Sequence, residues 1–329
     1  MAQILQPTEE NLRLLRKFLS FKGLVGIPSE TVYGLAANAL DAEACQKIFV
    51  AKGRPSNDPL ICHVPNFESI SKICTPNGLA KKLADKFWPG PLTMILPKKS
   101  IVPDIVTSGL DSVAVRCPAH PVFKRLIEGC EFPLAAPSAN PFSYISPTSA
   151  EHVQSGLGNK IEYILDGGSC EHGLESTIID IRNPNAPRIL RYGALATEAL
   201  EKALDREIAK PPKDLKPNQA ALAPGALPKH YSPKTCLKLR NTPITAKEAE
   251  NASQNTAFLF LRKPSDTRSK TDNIFWLSEG GQLDQIAANL FSALRRLDES
   301  HFDLIIAEEA PELELGLAIN DRLRRAASQ

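Results

Sequence analysis

A proline cluster divides this sequence about two thirds of the way along its length. Six of the 27 prolines lie between Pro211 and Pro233, in a stretch without apolar periodicity. Proline fixes φ and lacks a backbone N–H, so such a stretch favours an extended connection over a helix or a sheet. We therefore expect a linker at residues 206–235 between one domain at 1–205 and a smaller domain at 236–329.

The segment before the linker alternates short apolar runs with amphipathic helices. This pattern is typical of a mixed α/β domain whose helices pack on a sheet. Thr8 is expected to cap a first helix, and the capping-box spacing of Thr148 and Glu151 predicts a later helix start. The predicted strands are 24–27, 60–64, 92–96, 113–116, 163–165, 176–181 and 188–191.

The segment after the linker repeats the α/β pattern on a smaller scale. Strands predicted at 257–261, 273–277 and 303–307 surround a helix with an apolar stripe of Ile286, Leu290, Leu294 and Leu297. Strands that alternate with helices favour a parallel sheet. We expect a second α/β domain with a parallel sheet and a closing C-terminal helix.

Charge and cysteine content exclude several classes of protein. The chain has 39 Lys+Arg and 37 Asp+Glu, so it lacks the global basic charge of a protein that coats nucleic acid or an anionic membrane. No apolar run approaches the roughly 18 residues that a membrane span needs, and the N-terminus does not resemble a signal peptide. Seven cysteines without a C-x-x-C pair argue against a disulfide framework and a zinc site. We expect a cytoplasmic protein with no membrane contact and no protein-bound metal cage.

Small polar and basic clusters lie at the edges of the predicted strands of the first domain. They include a hydroxyl- and carboxylate-bearing turn at 28–35, a basic turn at 52–55 and a polar turn at 136–141. Arg116 leaves an apolar strand and needs an anionic partner, which the residues alone allow to be either a protein carboxylate or a bound one. No nucleophile triad or acid–base pair accompanies these clusters. They indicate electrostatic stabilisation of anions.

The order and spacing of the clusters resemble one family, the YrdC-like L-threonylcarbamoyladenylate synthases. The resemblance rests on segments 29–35 (SETVYGL), 52–55 (KGRP), 88–93 (WPGPLT), 115–121 (VRCPAHP), 136–140 (APSAN), 146–148 (SPT), 173–177 (GLEST) and 190–191 (LR). Segments 224–225 (PG), 230–233 (HYSP) and 318–323 (AINDRL) resemble the long, two-domain form. The resemblance implies a YrdC-like twisted mixed sheet with packed helices for residues 1–205.

The resemblance also implies a reaction. L-threonine and bicarbonate would give N-carboxythreonine, whose carboxylate attacks the α-phosphate of ATP to form threonylcarbamoyl-AMP and pyrophosphate. A separate transferase complex would then modify tRNA beside the anticodon, and contact of this chain with tRNA is expected to be weak or indirect. ATP enters as a substrate, and Mg²⁺ is expected with its triphosphate.

Site residues carry over from the family motif by motif. The expected threonine-binding residues are Thr31, His63, Arg116 and Ser176. The expected residues around ATP are Lys52, Arg54, Asp58, Ser112, Ala136, Ser138, Asn140, Ser146, Arg191 and Tyr231. Lys52 and Arg54 are also the expected catalytic pair, and Tyr231 would fold back from the linker over the nucleotide.

Several positions depart from the family pattern. Asp58 stands where the family usually has asparagine, so its carboxylate either exchanges roles with Asn57 or acts through magnesium. Residues 142–144 (FSY) replace a Ser-Gly pair, Tyr192 replaces a proline, and 227–228 (LP) depart from a more polar pattern.

Two alternatives remain open at this stage: a non-catalytic RNA-binding module of the same fold, and a related enzyme that transfers a carbamoyl group. Salt-sensitive RNA binding without nucleotide turnover would distinguish the first. The second is weakened because the chain lacks accompanying zinc-finger or acylphosphatase-like segments.

Overall fold

A computed structural model describes residues 1–212, 223, 230–265 and 272–328. Within these ranges the chain forms a ten-stranded mixed sheet and a separate four-stranded parallel sheet. The expected α/β class is confirmed, and so is the parallel sheet of the second region.

The first sheet is built from residues before the linker. Its strands are β1 (Gln3–Leu5), β2 (Val25–Ile27), β3 (Gly34–Asn38), β4 (Ile61–His63), β5 (Leu92–Pro97), β6 (Ser112–Arg116), β7 (Leu134–Ala135), β8 (Tyr163–Leu165), β9 (Thr177–Asp180) and β10 (Arg188–Arg191). They lie in the order β1-β8-β2-β3-β7-β4-β6-β5-β9-β10. Strands β4 and β6 are parallel neighbours near the middle of the sheet.

Helices pack on this sheet through apolar faces. They are α1 (Glu9–Ser20), α2 (Ala42–Lys52), α3 (Gly78–Phe87), α4 (Asp104–Thr107), α5 (Pro121–Glu128), α6 (Ala150–Leu157) and α7 (Thr197–Leu204), with a 3₁₀ turn at Glu68–Lys72. Helix α1 starts as predicted, since Thr8 Oγ1 accepts a hydrogen bond from the Asn11 N–H at 3.2 Å. The prediction for α6 was wrong by one residue: Ser149 is the cap, and the Thr148 hydroxyl instead contacts the ring of His152.

The second sheet has the order β11-β14-β12-β13. Its strands are β11 (Cys236–Arg240), β12 (Thr256–Arg262), β13 (Ile274–Ser278) and β14 (Leu304–Glu308), and its helices are α8 (Ala246–Glu250), α9 (Leu283–Asp298) and α10 (Leu315–Ala327). The predicted stripe of α9 is buried, as the 3.6-residue period requires. No helix in the described part of the chain is long and apolar enough to cross a membrane.

One face of the first sheet positions the candidate site. Ile61 and His63 of β4 lie beside Ala114 and Arg116 of β6, and alternate residues of a strand share a face. Ala223, a described residue of the linker, is buried in an apolar cluster with Ile61 and Ala114. Ala223 therefore covers part of this face.

Candidate functional site

A small pocket lies on the face of the first sheet that carries His63 and Arg116. Nine of the residues predicted for the site line it: Thr31, Arg54, His63, Arg116, Ala136, Ser138, Ser176, Arg191 and Tyr231. The cavity measures about 50 Å³, whereas binding sites for small molecules typically measure about 300–1,000 Å³. A nucleotide can therefore enter only if the covering residues move.

Arg116 lines the pocket and is held by three acceptors. Its guanidinium donates to Glu30 Oε1 at 2.6 Å, to Thr31 Oγ1 at 3.0 Å and to the Gly90 carbonyl at 3.2 Å. Burial opposes ionisation of Glu30, but the charge of Arg116 and backbone N–H donors overcome it and lower the pKa of Glu30 to about 2. The structure thus supplies the protein carboxylate that the sequence left as one of two options.

His63 sits next to Arg116 at the end of β4. Its Nδ1 is 3.3 Å from the Leu134 carbonyl, and its ring packs against Phe123. Burial, followed by repulsion from Arg116, lowers the pKa of His63 to about 3. The imidazole is therefore neutral at physiological pH and can position a substrate without adding charge.

Lys52 supports the polar turn at 136–141 from the end of α2. Its ammonium donates to the carbonyls of Ser138 at 2.5 Å and Asn140 at 2.6 Å. Burial, and then the nearby charge of Arg54, place the pKa of Lys52 well below its usual value. A bound anion would oppose that shift by stabilising the ammonium.

Arg54 is fixed by the turn that follows α2. It donates to the carbonyls of Asp58 at 3.0 Å and Pro59 at 2.8 Å, and it pairs with Asp58 Oδ2 at 2.9 Å. Gly53 allows this turn because its φ of +65° lies in the left-handed region. In this geometry Asp58 is the counter-charge of Arg54.

Ser176 and Arg191 bring β9 and β10 to the same pocket. Arg191 Nη2 donates to the Ser176 carbonyl at 2.9 Å and to its hydroxyl at 3.2 Å. That hydroxyl also lies 2.7 Å from the hydroxyl of Thr93. The Ser176 hydroxyl is therefore oriented by two neighbours.

The other predicted ATP-binding residues lie behind or beside the lining. Ser146 donates to Glu175 Oε1 at 2.6 Å, and the Asn140 amide holds the Tyr144 carbonyl at 2.8 Å. Ser112 shares a strand face with Arg116, but it lies four residues earlier, roughly 13 Å along β6. The structure therefore brings Ser146 and Asn140 close to the pocket and leaves Ser112 at its periphery.

The linker residues His230 and Tyr231 close the pocket. The Tyr231 ring stacks on Phe291 of α9 at 5.4 Å and lies 5.0 Å from the guanidinium carbon of Arg322 in α10. Burial, followed by four cations of the site, places the pKa of His230 well below its usual value. The other linker positions quoted above, 224–225 and 227–228, lie outside the described residues.

Glu30 and Glu175 lie within the family motifs, but the sequence analysis assigned neither of them a role. Glu30 pairs with Arg116, and Glu175 pairs with Arg322 at 2.9 Å. Among the described residues no group of three or more His, Cys, Asp or Glu side chains could hold a metal ion. The carboxylates of Glu30, Asp58 and Glu175 are each paired with an arginine. They do not form a cage for a protein-bound metal.

Family models match both parts of the chain. The model described as telomere recombination matches residues 17–193, and the model described as the C-terminal domain of threonylcarbamoyl-AMP synthase matches residues 195–328. The chain is similar to threonylcarbamoyl-AMP synthases of Pyrococcus abyssi, with 42% identity over 97% of this chain and 94% of the relative, and of Bacillus subtilis, with 38% identity over 92% and 89%.

A solved structure agrees over nearly the full length. The crystal structure of P. abyssi Sua5 complexed with L-threonine superposes with a TM-score of 0.89 and 40% identity, covering 99% of this chain and 98% of that one. The match includes both sheets, since it extends over almost every residue. On these grounds the chain belongs to the threonylcarbamoyl-AMP synthase family.

Proposed function

We propose that this chain converts L-threonine, bicarbonate and ATP into threonylcarbamoyl-AMP, pyrophosphate and water. The observation that carries the proposal is the pocket itself, where the described residues bring together buried cations and hydrogen-bonded hydroxyl groups. Both steps use a nucleophile of the substrate: the threonine amine attacks the bicarbonate carbon, and the new carboxylate attacks the α-phosphate as pyrophosphate leaves. Such chemistry needs positioning and charge neutralisation from the protein.

Threonine is assigned to the end of the pocket formed by β4, β6 and β9. Arg116 would share its guanidinium between Glu30 and the threonine carboxylate, since the planar fork suits carboxylate oxygens. Thr31, neutral His63 and Ser176 supply short polar side chains around it. In this arrangement the amino group would face the rest of the pocket, where the carbamate must form.

ATP is assigned to the end formed by the basic turn, the polar turn and β10. Lys52, Arg54 and Arg191 would neutralise the phosphates, with Ala136, Ser138, Asn140, Ser146 and Ser112 along the nucleotide. Mg²⁺ would enter bound to the triphosphate and neutralise part of its charge. The carboxylates of Glu30, Asp58 and Glu175 are not expected to hold the metal, because each is already paired with an arginine. Asp58 then serves Arg54 rather than the metal.

The linker is assigned the role of a lid. Tyr231 and His230 cover the pocket, and the cavity beneath them is too small for a nucleotide. A closed lid would keep water from the reactive carboxylate–phosphate anhydride. We keep the division into a catalytic domain at 1–205, a lid at 206–235 and a small domain at 236–329, and we assign the next step to a separate transferase complex acting on tRNA.

The direct test is pyrophosphate release from ATP by the purified chain. Omission of threonine or of bicarbonate should each abolish release, and mass spectrometry should detect threonylcarbamoyl-AMP only in the complete mixture. Chelation of Mg²⁺ should stop release, and added Mg²⁺ should restore it. Release that ignores threonine, or ATP binding without release in the complete mixture, would contradict the proposal and favour a binding module.

A further inference from the structure

Arg322 of the second domain is fully buried, with a relative exposure of 0%. A buried guanidinium is costly unless its donors are satisfied and its charge is compensated. Its Nε donates to Glu175 Oε2 at 2.9 Å, its Nη2 donates to the Tyr192 carbonyl at 2.9 Å, and Nη1 pairs with Asp321. This side chain therefore connects α10 to two segments of the first domain.

Glu175 is the acidic end of that connection and lines the pocket. One carboxylate oxygen takes the Ser146 hydroxyl at 2.6 Å, and the other takes Arg322. A buried carboxylate beside a site for triphosphate would repel the ligand unless a cation neutralised it. The pair thus removes a negative charge from the nucleotide end and fixes the Ser146 hydroxyl.

The same guanidinium also supports the lid and the strand that carries Arg191. It lies over the ring of Tyr231, and a cation over an aromatic face is favourable. Its bond to the Tyr192 carbonyl holds the peptide unit between Tyr192 and Gly193, one residue beyond the end of β10. Three parts of the nucleotide end therefore converge on one side chain from the second domain.

We propose that Arg322 is a positioning residue for ATP, through which the second domain neutralises Glu175 and holds Tyr231 and the end of β10 in place. The inference rests on the proposed function only in taking ATP as the anion. Arg322 does not line the pocket, so it acts through these partners. Lysine could carry the charge, but it lacks the planar set of donors that reaches Glu175 and Tyr192 together.

The test compares the full-length variants R322M, R322K, E175Q and R322M/E175Q by calorimetric binding of ATP and, separately, of threonine. We expect R322M to weaken ATP binding by about tenfold or more and threonine binding by less than about twofold. The double variant should recover ATP affinity relative to R322M, because E175Q removes the uncompensated charge. R322K should fall between R322M and the wild type.

Arg324 provides a matched control on the same helix, since it pairs with Glu309 and Glu312 at the surface. R324M should leave ATP binding unchanged. Equal losses for ATP and threonine without rescue by E175Q would mean that Arg322 is merely structural, and wild-type ATP affinity in R322M would overturn the inference outright. If R322M does not fold, ATP binding is compared among R322K, E175Q and the wild type instead. ATP affinity at the wild-type level in R322K would then overturn the inference. A wild type that binds ATP without synthesis would refute the proposed function alone.

Discussion

The buried pair between Glu30 and Arg116 should make the first domain sensitive to acid. The two side chains are 4% and 5% exposed, and their charged atoms are 2.6 Å apart. Glu30→Gln keeps the size and a hydrogen-bonding group but removes the charge, so Arg116 is left without its carboxylate. Breaking a buried pair in this way is strongly destabilising.

The magnitude follows from the pKa of Glu30. Burial raises this pKa, but the charge of Arg116 lowers it by more, so the pKa of Glu30 falls from 4.5 to about 2 in the folded chain. At ~1.4 kcal/mol per unit the ionised carboxylate stabilises the folded state by ~3 kcal/mol at neutral pH. Since the folded-state pKa is the lower one, this stability is complete above about pH 5 and is lost as the pH falls towards 2. At pH 3 roughly 1 kcal/mol should remain.

The assay is urea unfolding followed by tryptophan fluorescence. The chain has two tryptophans, so Trp276→Phe as background leaves Trp88 to report on the first domain alone. Glu30→Gln should lower the free energy of unfolding by ~3 kcal/mol at pH 7 and by ~1 kcal/mol at pH 3. Glu9, whose pair with Arg125 is exposed, is the control, and Glu9→Gln should change stability far less. A difference that does not vary with pH, or no difference at pH 7, would refute the reasoning.

Three further outcomes are expected. Arg116→Ala should raise the KM for threonine about 100-fold while changing the KM for ATP little, because it removes a charge-assisted fork; steady-state kinetics with each substrate varied would reject the assignment if both rise equally. Lys52→Met should raise the KM for ATP about tenfold or more with threonine binding preserved, and calorimetry with threonine serves as its control. Tyr144→Phe removes the hydrogen bond from the Tyr144 hydroxyl to Asp298 at 2.7 Å, so the free energy of unfolding should fall by ~1 kcal/mol; denaturation that shows no loss would mean that the bond adds nothing.

Periodicity predicted the elements that bury a regular apolar pattern. The stripe on α9 and the apolar run of β8 are such cases, and their predicted positions agree with the structure. Strand β3 was missed because its sequence, GLAAN, has no β-branched residue and few large side chains. Strand β7 has two residues, which is too short for an alternating pattern to be visible.

The sequence predicted those residues of the candidate site that lie in short contiguous motifs. The basic and polar turns could be recognised because each is contiguous. The pair between Arg322 and Glu175 joins residues 147 positions apart, and no local spacing relates the two. The partner of Arg116 was likewise left open, since burial of a charge requires a partner but does not say which one.

Charge around the pocket explains how a nearly neutral chain can bind a polyanion. Among the described residues the buried basic side chains are Lys52, Arg54, Arg116, Arg191, Arg295 and Arg322, and the buried carboxylates are Glu30, Asp58 and Glu175. Histidines 63 and 230 add no charge, because burial lowers the pKa of each. Among the residues that line the pocket, Arg54, Arg116 and Arg191 are positive and Glu175 is negative, a local excess of two positive charges, while the whole chain carries a formal net charge of +2. Coulomb interactions are stronger where water is excluded, so a local excess of this size attracts triphosphate more effectively than the same charge spread over the surface. The carboxylates limit the repulsion among the cations when no ligand is bound, and the remaining excess is left for ATP to compensate.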